Sequence, residues 1–452
     1  MIAPARRAAL EVLAAVARGR RDLGDALDQA RRRLDEPRDV ALLHELAVGT
    51  IRWQSRLDVA IAALSTVPLA KLDLDVLLVL RLGAYQLLYL SRVPASAVVH
   101  DAVAQVRQAR KSSAAGLTNA VLRRLATGEG RELPARPTAA VDADAAAWVA
   151  FLSATQAHPP WLVARWLARW PLDAVEAWLA FNNTTPEITL RLNPLVGVSA
   201  EATVGALSAE GIAVTPTAHA PSGLRLVGGA VATSQTVADG ICVMQDEGSQ
   251  LAGLLAPVRP GDRVLDVCAA PGGKTLIYAA AGAPGLVVAC DARAPRVALL
   301  AETLRRGRAP HAPVVHLDPD AALPFAAAFD VVVVDAPCSG LGTLRRDPDI
   351  KWRRQPDDLA GFARRQLDLV ARAAATVRPG GRLVYTTCST EPEENEEVVA
   401  AAVTRLTDFD LVREPSSVPA VAALTDADGV FRTHPARDGL DGYYGVVLAR
   451  RR

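Results

Sequence analysis

The feature that most constrains this 452-residue chain lies in its second half. From about Gln245 onward, short aliphatic runs alternate with helical stretches: "RVLDVCAA", "GLVVACD", "PVVHLD", "FDVVVVDAP" and "GRLVYTTCS". Val/Leu runs without polar alternation suit strands covered on both faces, and such strands belong to mainly parallel sheets flanked by helices. In open sheets of this kind ligands bind beyond the carboxyl ends of the strands. Asp291, Asp318, Asp335 and Cys388 all stand at or just past such ends, so the sheet is also where chemistry is expected.

The first part of the chain has a different period. Between Arg6 and about Ala126, "ALEVLAAV", "DVALLHELAVGTIRW", "RLDVAIAAL", "LDVLLVLRLGAYQLLYL" and "GLTNAVLRRLA" space apolar residues by three and four, which predicts an all-helical domain over 1–128. A stretch rich in Gly, Pro, Asp and Ala, "TGEGRELPARPTAAVDADA", follows as the linker candidate. Over 145–235 the pattern predicts a small α/β module: helices at "PPWLVARWLARW" and "LDAVEAWLAFNN", a strand at "ITLRLNPL", a helix capped by Ser199 and ended by Gly211, then extended "IAVTP" and "GLRLVGG". The tryptophans at 161, 166, 170 and 178 fall in helical patterns and are expected in the core. The remainder, 236–452, is the parallel α/β domain.

Composition excludes several classes. Five cysteines without a CxxC pair argue against a disulfide framework and against a zinc cluster, so no metal is expected. Arg81 interrupts the longest apolar stretch, and no segment approaches the roughly 20 apolar residues of a membrane span. The start reads as an amphipathic helix without a cleavage-site pattern, so the expectation is a soluble cytoplasmic protein. Residues 1–130 carry 19 Lys/Arg against 13 Asp/Glu, whereas the whole chain has a net charge of +1. The basic front either faces an anionic partner or is ordinary scatter of solvated arginines.

The first strand of the α/β domain runs into "LDVCAAPGGKT", a small-residue loop that opens a helix. Cys268, Ala269, Ala270, Pro271, Gly272 and Gly273 leave backbone room for a ligand and lead to Lys274. The loop is neither GxxxxGK[ST] nor GxGxxG, so phosphate binding is not the default. The next strands end at Asp291 and Asp318, where an α/β nucleotide site accepts ribose hydroxyls and could receive an adenine amino group. Asp320 rivals Asp318 in "HLDPDAALP"; Asp318 follows the apolar run directly. Together with Asp335 the set reads as an adenosyl cofactor site.

Cys338 and Cys388, about fifty residues apart, each follow one of the later strands. Two thiols beside a donor of a carbon group suggest chemistry on an unreactive ring carbon. Cytosine C5 is such an atom, becoming nucleophilic only after a thiolate adds to C6. One cysteine can attack while another group removes the C5 proton, and Asp335 supplies a carboxyl group for the charge that develops near N3. Lys274 could lower a thiol pKa or orient the base. The other three cysteines, Cys242, Cys268 and Cys290, are expected to pack. Between the two thiols, "GTLRRDPDIKWRRQPDD" gathers Arg345, Arg346, Lys351, Arg353 and Arg354 around Trp352, a pattern that fits single-stranded or flipped-out nucleic acid or, alternatively, a solvated helix with one anchoring Trp.

"DVCAAPGGKT", "VDAPCSGLGTLRRDPDIKWRR", "YTTCSTEPEENEEVV" and "VMQDEGSQ" resemble the RsmB/Sun family of 16S ribosomal RNA cytosine-5 methyltransferases. "LAVGTIRWQSRLD", "LRLGAYQLLYLSRVPASAVVHDAV" and "GLTNAVLRRL" look like the NusB-type helical RNA-binding domain that precedes it in that family. The resemblance implies an all-α NusB-like front domain, a small α/β RNA-binding module and a Rossmann-like class I methyltransferase domain. It implies S-adenosylmethionine as cofactor, bound by Cys268 to Lys274, Asp291, Asp318 and Asp335. It orders the thiols, with Cys388 as nucleophile and Cys338 assisting release of the methylated base, and it implies 16S rRNA or an early small-subunit assembly intermediate as partner. Transfer RNA as substrate, and a non-catalytic RNA-binding or antitermination factor, are the alternatives. "DGYYG" near the C-terminus carries tyrosines where the family often has phenylalanines.

Overall fold

The computed structural model describes residues 2–283, 285–309 and 311–452. They form two compact units, one of Met1–Thr185 with Leu344–Arg354, the other of Pro186–Thr343 with Gln355–Arg452. Among the described residues no helix is long and apolar enough to cross a membrane.

The first unit is helical, as the period of its apolar residues requires. Helix Leu74–Tyr89 starts where the Asp73 carboxylate accepts the Asp75 amide, and it buries Val76, Val79, Leu80 and Gly83 in one core with Leu43, Leu46, Leu57 and Ile61. Helices Pro160–Leu167 and Leu172–Asn182 also belong to this unit. Trp166 and Trp178, expected in the core, stack there with ring centroids 3.9 Å apart, and Trp170 packs edge-on against Trp178.

The basic segment around Trp352 departs from the nucleic-acid expectation. Lys351 is fully buried, its ammonium donating to Arg52 O, Ala157 O and Asn183 Oδ1 at 2.8–3.3 Å. The Trp352 indole donates to Ile51 O and its ring packs on the helical core. Arg345 is buried as well, with its guanidinium 4.1 Å from the Phe181 ring centroid. These side chains seat the segment on the helices; a Lys aimed at three carbonyl-type oxygens is not available to phosphate.

The second unit holds two sheets. In the smaller, β1 (Thr189–Leu192), β2 (Ala213–Pro216), β3 (Gly223–Gly228) and β4 (Cys242–Met244) pair antiparallel in the order β2-β3-β1-β4. Helix Ala200–Ala209 accompanies it, and the Ser199 hydroxyl caps that helix as expected. The larger sheet comprises β5 (Val264–Asp266), β6 (Val287–Asp291), β7 (Val314–His316), β8 (Phe329–Asp335), β9 (Val377–Thr387), β10 (Phe409–Leu411), β11 (Phe431–Arg432) and β12 (Tyr444–Arg450). Its order is β10-β12-β9-β8-β5-β6-β7, with β11 on β12. The five strands read from aliphatic runs, β5 to β9, are parallel, and β12 closes antiparallel on β9. The fold is therefore the expected one: an all-helical front domain, a small sheet module and a Rossmann-like α/β domain.

Strand order places the site. From β5 the chain steps outward through β6 to β7, then returns to the other side of β5 with β8 and β9. The reversal opens a crevice at the carboxyl ends of β5 and β8. Asp335 on β8 pairs in register with Thr386 on β9, so the segments carrying Cys338 and Cys388 leave the sheet side by side.

Candidate active site

The loop after β5 turns sharply into helix Gly273–Gly282. Gly272 makes the turn at φ +110°, and a Cβ there would lie 3.1 Å from Leu300 Cδ1, so glycine answers both the conformation and the space. The turn sends Lys274 back under the sheet ends, where its Nζ lies 2.7 Å from Asp335 Oδ2. The other Asp335 oxygen accepts the Thr386 hydroxyl at 2.9 Å, which fixes the carboxylate from the neighbouring strand. Burial alone would lower the Lys274 ammonium; the charge and hydrogen bond of Asp335, with Cys388 and Asp266, carry it above its ordinary value instead.

Asp266, the last residue of β5, lies directly behind this pair. It is fully buried, Oδ2 accepts the Thr275 hydroxyl at 2.7 Å, and Oδ1 has no partner among the described residues. Burial pushes its carboxyl up to about 7. An unpaired carboxylate oxygen inside a cavity is a ready acceptor for a cationic ligand.

The two expected thiols meet. Cys338 Sγ and Cys388 Sγ are 3.2 Å apart. The hydrogen bond between them, then burial, then the charges of Cys388 and Glu394 hold the Cys338 thiol well above its ordinary pKa. Backbone contacts fix the Cys388 side: the Gly342 amide donates to Cys388 O, and Gly442 donates to Gly342 O. A Cβ on Gly342 would sit 2.0 Å from the Gly442 carbonyl oxygen. Only glycine permits the approach, which ties the "GLG" and "DGYYG" stretches to one place.

Two cavities flank the loop. One of about 410 Å³ is lined by Gln245, Asp246, Asp266, Lys274, Asp335 and Tyr443, together with Ala269, Ala270, Pro271 and Gly273. The other, about 620 Å³, has Leu317, Leu323, Leu369 and Pro337 on its walls and Asp318 and Asp320 at its edge. Cys268 lines both, so the cavities adjoin; burial raises its thiol pKa, as for Cys290, pushed up to about 12. Asp291 ends β6 beside Ala292 of the second cavity, its Oδ1 accepting the Arg293 amide. Asp318 and Asp320 are both exposed, and Asp318 Oδ1 already accepts the Asp320 amide. Apolar walls suit an adenine, strand-end carboxylates suit ribose hydroxyls, and the orphaned Asp266 oxygen suits an ammonium group, so the residues fit S-adenosylmethionine.

The comparisons with known proteins agree with this geometry. A family model described as 16S rRNA methyltransferase RsmB/F matches residues 252–449, a NusB family model residues 3–127, and an RsmF/B-like ferredoxin-like domain residues 158–233. Ribosomal RNA small subunit methyltransferase B of Pseudomonas putida is 38% identical over 88% of this chain and 89% of its own length. The protein of the same name from Pseudomonas syringae is 35% identical over 98% of this chain and 96% of its own. The chain belongs to the RsmB/F methyltransferase family. As an enzyme it is a methyltransferase of the RsmB type. The crystal structure of PH0851 shares the fold, with a TM-score of 0.79 at 24% identity over 99% of each chain.

Three residues of this RsmB-type site escape a reading of the sequence. Asp266 stands inside the quoted glycine motif but looks like an ordinary strand-end acid. Arg191, on β1, is buried and donates to Gln245 Oε1 and Gly273 O, bracing the loop from the small sheet; burial lowers its pKa to about 10. Glu394 belongs to the acidic run "EPEENEE", and nothing within such a run tells its buried members, Glu391 and Glu394, from its solvated ones.

Proposed function

We propose that this chain transfers a methyl group from S-adenosylmethionine to C5 of a cytidine in small-subunit ribosomal RNA, through a covalent bond between Cys388 and C6 of the base. The observation that carries the reading is the pair of thiols 3.2 Å apart at the ends of adjacent strands, next to the Lys274–Asp335 pair. The names of the relatives point to the same substrate.

The cofactor, held by the Cys268–Gly273 loop, Asp266, Asp291 and Asp318, would supply an electrophilic methyl group. The chain's own residues supply the rest. Cys388 adds to C6, and the proton held between Lys274 and Asp335 meets the negative charge that builds at N3. The double bond then leaves C5 electron-rich and able to take the methyl group. Cys338 is protonated before attack because Cys388 sits against it. Once the Cys388 sulfur is a thioether, that hydrogen bond and charge are gone, and the Cys338 pKa falls. Cys338 can then give its proton to solvent, take the one on C5, and allow Cys388 to leave. The contact thus times the base, keeping it inactive until the adduct exists.

The test is to incubate wild type, Cys388→Ala and Cys338→Ala with labelled S-adenosylmethionine and unmodified small-subunit RNA, mapping the methylated nucleotide and any protein–RNA adduct. Wild type is expected to methylate one cytidine, Cys388→Ala to give neither product nor adduct, and Cys338→Ala to accumulate an adduct that survives denaturation. Adduct formation by Cys388→Ala would refute the assignment. Methylation of transfer RNA alone would redirect the substrate, and cofactor binding without any transfer would favour a binding factor.

A further inference from the structure

Glu394 is completely buried, yet it lines neither of the two cavities beside the loop, and its carboxylate bonds to Ser339, Ser389 and Gln366 rather than to Lys274 or Asp335. Its carboxylate is surrounded by donors from both thiol-bearing segments. Oε1 accepts the Ser339 amide at 2.7 Å and Gln366 Nε2 at 3.0 Å; Oε2 accepts the Ser339 hydroxyl and the Ser389 hydroxyl, each at 2.5 Å. Ser339 directly follows Cys338, and Ser389 directly follows Cys388. The same Gln366 amide also donates to Pro337 O, one residue before Cys338. On the other flank Asn395 donates to Ser389 O and accepts the Thr387 hydroxyl, while Tyr385 on β9 donates to Glu394 O.

A carboxylate so far from water persists only where donors satisfy it. Here the donors come from two loops beyond the sheet, which also meet through the Ser339 and Ser389 hydroxyls, 3.2 Å apart, and through the Gly342 amide on Cys388 O; among the described residues the carboxylate is the one group that accepts from both serines at once. Hydrogen bonds to a charged acceptor are shorter and stronger than neutral ones, so the carboxylate is a stiff link where a neutral side chain would be a loose one. We propose that Glu394 is the positioning residue for the thiol pair: by clamping Ser339 and Ser389 it sets the separation and mutual orientation of Cys338 and Cys388. This deepens the proposed reaction and rests on it for its catalytic meaning, but the spacing of the thiols can be measured without RNA or cofactor.

The probe is phenylarsine oxide, whose trivalent arsenic forms two As–S bonds with a close dithiol and releases water. Full-length wild type, Glu394→Gln, Cys338→Ala and Cys388→Ala are loaded with the arsenical, and bound arsenic is titrated off with 2,3-dimercaptopropanol. Single-turnover methyl transfer and donor affinity are measured on the same preparations. Wild type is expected to hold arsenic through the pair and both alanine variants to lose it. Glu394→Gln should release it at a dimercaptopropanol concentration at least tenfold lower, with methyl transfer slowed at least tenfold and donor affinity within about twofold. Wild-type arsenic retention by folded Glu394→Gln would overturn the proposal, whatever happens to activity. If Glu394→Gln does not fold, Ser339→Ala, Ser389→Ala and the double variant decide: a shared clamp makes the double variant barely worse than either single, and independent, additive effects overturn it. Loss of arsenic retention in Glu394→Gln alongside a wild type that methylates no RNA would uphold the clamp while removing the proposed reaction.

Discussion

Replacing Asp266 by asparagine gives a signal that the burial of this one carboxyl determines. Its pKa is raised from 3.8 to about 7, first by burial and then by the neighbouring Asp335 and Asp291, against the opposing pull of Thr275 and Lys274. Because the folded value lies above the unfolded one, the folded chain holds this proton between about pH 4 and 7, where the unfolded chain has released it. The contribution is fully present below the unfolded pKa and is lost as pH rises through 7. A tenfold change in proton affinity corresponds to about 1.4 kcal/mol, so ionised Asp266 opposes folding by roughly 4 kcal/mol at alkaline pH, of which about 2–3 kcal/mol develops between pH 5 and 8. For a unit of this size that is a fall in Tm of roughly 5–10 °C from one group. Asparagine removes the titration and leaves an amide with one unpaired side, a cost of about 1–3 kcal/mol that does not change with pH. The assay is Tm by calorimetry from pH 5 to 8.5 at constant ionic strength, wild type against Asp266→Asn. Groups titrating elsewhere do so in both proteins and cancel in the difference. Asp266→Asn should be the less stable protein at pH 5 and gain on wild type steadily toward pH 8. A difference that stays flat within about 1 °C would refute the reasoning.

Three further outcomes follow from particular contacts. Lys274→Met strips Asp335 of its 2.7 Å partner, and single-turnover methyl transfer should fall at least 100-fold, equivalent to about 2.7 kcal/mol of barrier; a loss under fivefold would show the ammonium to be dispensable. Lys351→Met leaves Arg52 O, Ala157 O and Asn183 Oδ1 without their donor, and should destabilise the helical unit by about 2–4 kcal/mol in a urea titration of the full chain; an unchanged midpoint would contradict it. Trp166→Ala opens a cavity against Trp178 and should cost about 3–5 kcal/mol, read from the same titration, with a loss below 1 kcal/mol counting against the stacked core.

What could be read in the sequence follows from how far apart the cooperating residues are. The strands β5 to β9 are legible because burial on both faces leaves an aliphatic run that no helix or loop requires, and the strand ends then mark Asp291, Asp335 and Cys388. The loop from Cys268 to Gly273 is legible because only small residues and a left-handed glycine make its turn. Lys351 is not, since the oxygens that hold it come from residues 52, 157 and 183, and a basic run with one Trp has the same composition whether it faces RNA or a ring of carbonyls. Glu394 is hidden for a related reason: its donors, Ser339, Ser389 and Gln366, are residues that, taken singly, look like any polar side chain turned to solvent.

The fifty-residue interval between the thiols is itself a consequence of the fold. Two parallel strands cannot be joined by a tight turn, because the chain must travel back the length of the sheet before entering the second strand at the same end. Here the return is helix Asp358–Ala374, 17 residues or about 25 Å of rise, followed by the 11 residues of β9. About half of the remaining length is the excursion through Leu344–Arg354, which folds with the helical unit, and the rest is the short connections on either side. Placing two cysteines at adjacent ends of a parallel pair therefore demands a long gap in sequence to obtain a 3.2 Å gap in space. A hairpin could bring two thiols equally close with a few residues between them, but its strands are antiparallel, and it would not leave both ends opening on the crevice where β5 delivers Asp266 and Lys274. The distance along the chain is what lets one crevice hold both thiols and the small-residue loop after β5 together.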